Sequence, residues 1–113
     1  MSFAWREIVQ HMIDEVNYLE SASQGLSREE YLGSATLKRA FARSLEIIGE
    51  ATKALPTEVI DANPQIDWRA MAGMRDRLIH AYFGIDHGIV WDVVTIRVSL
   101  LRVQLEKLSD AAS

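Results

Sequence analysis

Only two prolines, Pro56 and Pro64, interrupt this chain of 113 residues, and both fall in one short connecting stretch. A proline inside a helix removes a donor and clashes with the preceding turn. Long unbroken helices can therefore flank that stretch. The apolar residues repeat as such helices require. Trp5, Ile8, Met12, Val16 and Leu19 recur at steps of three and four, which predicts a first helix from about Ser2 to Glu20. No strand alternation of useful length occurs, and there is no internal repeat or low-complexity tract. The pattern predicts an all-α chain: an up-and-down bundle of four long helices with short extra helices, forming one domain over residues 1–113.

Local signals place the remaining boundaries. Ser21 to Gly25 is small and polar and reads as a loop. Ser27, followed by Glu30 three positions on, is a capping box for a short helix. Gly33 and Ser34 break and restart the chain. A second long helix then runs from Ala35 to Ala54, burying Leu37, Phe41, Ser44, Ile48, Ala51 and Leu55, widened by Leu45 and Ile47. Pro56 opens a short helical turn that Asn63-Pro64 closes. Asp67 caps a third long helix with an apolar face of Met71, Met74, Leu78 and Ala81. Gly73 marks a close helix crossing, and Gly84 is an end signal.

Asp86 or His87 caps a fourth long helix, from about Ile89 to Ser109. It carries two stripes. One is Ile89, Val93, Ile96, Leu100 and Val103; the other is Val90, Val94, Val98, Leu101, Leu105 and Leu108. A helix apolar on two sides needs two partners. One stripe serves the core, and the other is free to build a subunit interface.

Composition narrows the chemistry. With 49% hydrophobic residues the chain can bury a real core, and there is no cysteine for a disulfide or a thiolate metal site. Neither a signal pattern nor an apolar run of membrane-spanning length occurs, so a cytoplasmic protein without membrane contact is expected. The formal net charge of -4 argues against a protein held on nucleic acid by bulk charge. Any RNA contact has to use a local basic cluster such as Arg69, Arg75 and Arg77. Glu46 and Glu50 form an acidic pair one turn apart, but a di-metal bundle site also needs Glu-x-x-His on facing helices. That motif is missing, so a solvated acidic face is expected and no metal or cofactor. His11 lies off the apolar stripe and reads as a surface histidine.

The stretch from Met74 to Asp86, MRDRLIHAYFGID, is where the chain looks built for chemistry. Arginine holds a phosphate as a fixed fork of donors. Histidine moves protons near neutral pH. Tyrosine offers a hydroxyl that binds or is modified. Asp76 and His80 are neighbours one helical turn apart, so the carboxylate can orient the imidazole. Arg75 lies roughly 140° round the helix from His80. It must reach over, or the two converge on a ligand between helices. Arg75 and Tyr82, seven apart, return to nearly one face if the helix continues that far. The plainer alternative is a solvated Arg-Asp-Arg surface with a histidine satisfying the helix C-terminus.

Arg75-Asp76-Arg77-Leu78-Ile79-His80-Ala81-Tyr82 fits the R-x4-H-x-Y motif of the HEPN superfamily. Within it the chain resembles the HepT-like toxins of minimal nucleotidyltransferase operons. Arg43 to Ala51 with Leu55-Pro56, Trp68 to Met74, and Phe83 to Asp86 resemble that family too, so the likeness covers nearly the whole chain. The resemblance implies a homodimeric helical bundle and a metal-independent endoribonuclease, with the motifs of two subunits meeting in one cleft. It implies that Arg75 holds the scissile phosphate and that His80 transfers protons, supported by Asp76 and Arg77. Relatives often carry asparagine where Asp76 stands. Tyr82 matches the tyrosine to which the cognate nucleotidyltransferase antitoxin transfers AMP. Two other expectations compete: a non-catalytic helical partner or substrate-binding module of a nucleotidyltransferase, and a helical dimer without chemistry at the motif.

Overall fold

The computed structural model describes residues 2–80 and 84–112, which form seven helices and no strand. In chain order these are α1 (Ser2–Ser23), α2 (Arg28–Leu32), α3 (Ala35–Ala54), α4 (Thr57–Ala62), α5 (Trp68–Ile79), α6 (His87–Ile96) and α7 (Val98–Ala112). Side-chain caps set where four of them begin. The Ser27 hydroxyl accepts from the Glu30 N–H at 3.0 Å, and the Glu30 carboxylate accepts from the Ser27 N–H at 2.9 Å, the reciprocal box expected. That backbone donor holds the Glu30 carboxyl below its usual range. Ser34 caps α3 through the Leu37 N–H, and Asp67 caps α5 through the Ala70 N–H. At α6 the cap is Asp86, which accepts from the Ile89 N–H; His87 is the first helical residue.

Packing follows the apolar stripes. α1 lies between α3 and α7, and α3 packs closely on α5. Met12, Val16 and Leu19 are fully covered, with Val9 and Ile13 beside them, and Trp5 and Ile8 pack at the edge. From α3 the core takes Phe41, Ala42, Leu45 and Ile48, and Leu55 follows at its C-cap. Tyr31 of α2 is stacked between Phe41 and Trp91, with ring centroids 5.0 and 5.2 Å away. Glu20 fastens α1 to α7, accepting from Arg102 Nε and from the Ser99 hydroxyl at 2.7 Å each.

Three boundaries differ from the sequence reading. α1 runs on to Ser23. The fourth long helix is two helices, parted at Arg97. Just before the break, the Thr95 hydroxyl bonds the Trp91 carbonyl at 2.8 Å. Such back-bonding bends helices, and the β-branched run Val93 to Ile96 has low propensity to resist it. α5 ends at Ile79 with His80 as its C-cap, well before Gly84. Gly84 has φ +120°, a backbone that suits glycine in the α5–α6 connection.

The two stripes of the α6–α7 arm divide as expected except at Val93, which the sequence places on the interface stripe and which packs against the core instead. Val90, Val94, Val98, Leu105 and Leu108 are buried and Leu101 packs against them. Ile89, Ile96, Leu100 and Val103 stay exposed. No described helix is long and apolar enough to cross a membrane.

Candidate active site

The last turns of α5 carry Arg75, Asp76 and His80, and α3 decides how they sit. Gly49 of α3 faces α5 so closely that an added Cβ would strike the Arg75 Cβ and approach the Met71 carbonyl oxygen to 2.7 Å. The close crossing expected at Gly73 is therefore made by Gly49; a Cβ at Gly73 meets nothing within 4 Å. This contact holds the Arg75 stem against α3. Its Nε is buried without a hydrogen-bond partner among the described residues, and its terminal NH1 donates to Asp76 Oδ1 at 3.2 Å.

One turn further along α3, Lys53 Nζ donates to the same Asp76 oxygen. Asp76 is thus shared between two cations. The Lys53 hydrogen bond first, and the Arg75 one second, hold its carboxyl below the usual carboxylate range.

His80 is oriented by Asp76, but not by the carboxylate that the spacing suggested. Its Nδ1 lies 2.8 Å from the Asp76 main-chain oxygen. A carbonyl oxygen only accepts, so Nδ1 carries the proton and Nε2 keeps its lone pair in the neutral ring. The carboxylate is taken by Lys53 and Arg75 instead. Asp76 therefore fixes both motif residues, with its side chain on Arg75 and its backbone on His80. The imidazole stands exposed at the helix end.

The three arginines of the expected basic cluster have different surroundings. Arg75 is tucked against Gly49. Arg69 lines a groove of about 1070 Å³ with Lys53, Asp61, Ile66, Asp67 and Trp68. Arg77 lines a smaller cavity of about 140 Å³ with Leu78, Ile85 and Val90. Neither Arg75 nor His80 lines either cavity. Glu46 and Glu50 are both paired with Arg43, at 3.2 and 3.4 Å. The described residues hold no cluster of three or more acidic or histidine side chains placed to bind a metal ion. Tyr82, and Ala81 of the expected apolar face, lie outside the described residues.

Sequence reasoning missed Lys53 and the role of Gly49. Lys53 is 23 positions from Asp76, and only the α3–α5 packing brings them together. Gly49 had a local signal: it lies on the arc of Leu45, Ile48 and Thr52, all buried, where a glycine in a helix invites close approach.

A family model described as Ribonuclease HepT-like matches residues 12–108. Among curated proteins, a candidate RNase of Caldanaerobacter subterraneus subsp. tengcongensis is 39% identical, over 91% of this chain and 92% of its own length. A probable ribonuclease HepT of Thermococcus cleftensis is 35% identical, over 96% of this chain and 98% of its own. A candidate RNase of Methanocaldococcus jannaschii is 40% identical, over 81% and 73%. No solved structure matches the chain.

Proposed function

Starting from the fact that the chain belongs to the HepT-like ribonuclease family, we propose that it is a metal-independent endoribonuclease toxin whose site is completed by a second copy of itself. The observation that carries this reading is the anchoring of His80. With Nδ1–H fixed on the Asp76 carbonyl, Nε2 is presented as a base at an exposed helix end. That is the nitrogen that takes a proton from a ribose 2'-hydroxyl.

The freed 2'-oxygen attacks the adjacent phosphorus, the bond from phosphorus to the 5'-oxygen breaks, and a 2',3'-cyclic phosphate remains. Arg75 offsets the charge that gathers on the phosphoryl oxygens. One imidazole cannot easily serve both sides of the phosphorus. His80 of the partner subunit, starting as the imidazolium, gives its Nε2 proton to the departing 5'-oxygen, which is the chemical reason for a composite site. Arg77 supports the strand from the other side of α5. The exposed stripe of Ile89, Ile96, Leu100 and Val103 is the apolar surface from which the homodimer is built. Neutralisation follows from AMP transfer to Tyr82 by a cognate minimal nucleotidyltransferase antitoxin, since a nucleotide two positions from His80 blocks the phosphate's approach.

The test is digestion of defined RNA by the pure protein, with His80→Ala as control and mass analysis of the new ends. Cyclic phosphate ends from the wild type and none from the variant support the reading. Cleavage that persists in His80→Ala, or at a site lacking its 2'-hydroxyl, overturns it. If the protein accepts AMP on Tyr82 from its antitoxin yet cuts no RNA, it is a non-catalytic partner of the nucleotidyltransferase.

A further inference from the structure

Arg75 and Asp76 are adjacent in the chain and in contact in space, 3.2 Å apart. Left to themselves they form a neutral pair. A phosphate arriving at the guanidinium then meets the field of the carboxylate as well, and most of the attraction cancels. An aspartate in this place works against phosphate binding. The structure contains a remedy in Lys53, which reaches across from the last turn of α3 to the oxygen of Asp76 that Arg75 also uses.

We propose that Lys53 is a positioning residue for the Arg75–His80 site: by engaging the Asp76 carboxylate, it leaves the charge of Arg75 available to a phosphate of bound RNA. This rests on the ribonuclease reading above. Two cations now share one anion, so the trio carries net positive charge where the pair carries none. The depressed Asp76 carboxyl, with Lys53 as the larger cause, agrees with a carboxylate committed to the lysine. Folding stability does not account for the bridge. Lys53 and Asp76 are both close to half-exposed, and exposed pairs contribute little to it. Lys53 also lines the groove that holds Arg69. It therefore stands between that groove and the guanidinium.

The test compares Lys53→Met, Lys53→Arg, Asp76→Asn and the double variant Lys53→Met/Asp76→Asn. Two readouts are taken. One is binding of a 2'-O-methyl RNA oligonucleotide, which cannot be cleaved; the other is kcat/KM on the same RNA unmodified. Lys53→Met should weaken binding and lower kcat/KM about three- to tenfold, an effect that shrinks as salt is raised. Lys53→Arg should retain both. In the Asp76→Asn background, where there is no carboxylate to neutralise, Lys53→Met should change either readout by less than about twofold.

An unaffected Lys53→Met protein overturns the proposal while leaving the ribonuclease reading intact. An equal loss in the Asp76→Asn background also overturns it, because Lys53 then touches the RNA itself. Wild type that binds but does not cut RNA defeats the ribonuclease reading alone, and the binding series still decides on Lys53. Wild type that neither binds nor cuts defeats both.

Discussion

Gly49 lies directly beneath Arg75, at a point where no side chain fits between α3 and α5. The missing Cβ is what allows the two helices to approach, and the approach fixes the arginine stem and brings Lys53 within reach of Asp76. A backbone feature of one helix thereby sets the charge arrangement on another.

Two glycine substitutions should consequently act with opposite sign. Gly49→Ala places a methyl against the Met71 carbonyl and the Arg75 stem, so α5 must move outward. Overpacking of this kind exceeds the helix-propensity gain of alanine, and a net loss of about 2 kcal/mol is expected. RNA cleavage should fall with it, since Arg75 is displaced. Gly73→Ala, whose methyl meets nothing, should gain about 0.5–1 kcal/mol. Urea unfolding of the two variants measures both; equal signs would contradict the packing described.

His80→Asn separates anchoring from proton transfer. The asparagine amide can donate to the Asp76 carbonyl as Nδ1 does, but it brings no base at the position of Nε2. Thermal stability should stay within about 0.5 kcal/mol, because the side chain is exposed. Cleavage should drop by about 10²- to 10⁴-fold, the usual worth of a positioned acid–base group. Retained activity would move the base elsewhere.

Much of this arrangement was legible in the sequence where local rules govern. The capping box of Ser27 and Glu30, the restart at Gly33-Ser34, the cap at Asp67, and the division of the α6–α7 stripes at all but Val93 depend on residues within a turn or two of each other. Arg75 and His80 were visible through their spacing. What spacing could not carry was any relation between helices. The Asp76 carboxylate is an equal candidate for His80, Arg75 and Lys53 until α3 is docked, and docking hands it to the two cations. The break at Arg97 depends on whether Thr95 bonds backward or outward, a choice that the apolar period does not encode.

Tyr31 makes stability depend on pH from the alkaline side. It is fully buried between Phe41 and Trp91, its hydroxyl has no partner among the described residues, and burial pushes its pKa up to about 12. In the unfolded chain a tyrosine ionises near 10. The folded form therefore keeps its proton after the unfolded form has begun to lose it. The associated stability is complete below about pH 10 and is lost as pH rises from there through about 12. Tyr31→Phe removes the titration and an unpaired hydroxyl without losing a hydrogen bond. The variant should be as stable as wild type at pH 7, or about 1 kcal/mol more so. Its stability should also decline less between pH 10 and 12, as followed by urea unfolding at each pH. A steeper alkaline decline in the variant would show that the hydroxyl is not buried as described.

The exposed stripe of the α6–α7 arm gives the composite site its most direct test. Ile96 and Leu100 are 72% and 63% exposed, far more than large aliphatic side chains on a helix that also buries a second stripe require. If a second copy covers them, replacing both with glutamate puts two charges into an apolar contact, which prevents association. In the separated chain the same charges face water, so helix content by circular dichroism should not change and stability should shift by no more than about 1 kcal/mol. Sedimentation should then find a dimer for wild type and a monomer for Ile96→Glu/Leu100→Glu. Cleavage should vanish with the dimer, because one His80 no longer has a counterpart to protonate the leaving oxygen. A variant that stays dimeric places the subunit contact elsewhere on the bundle, and a monomer that still cuts RNA shows that one chain carries the whole site.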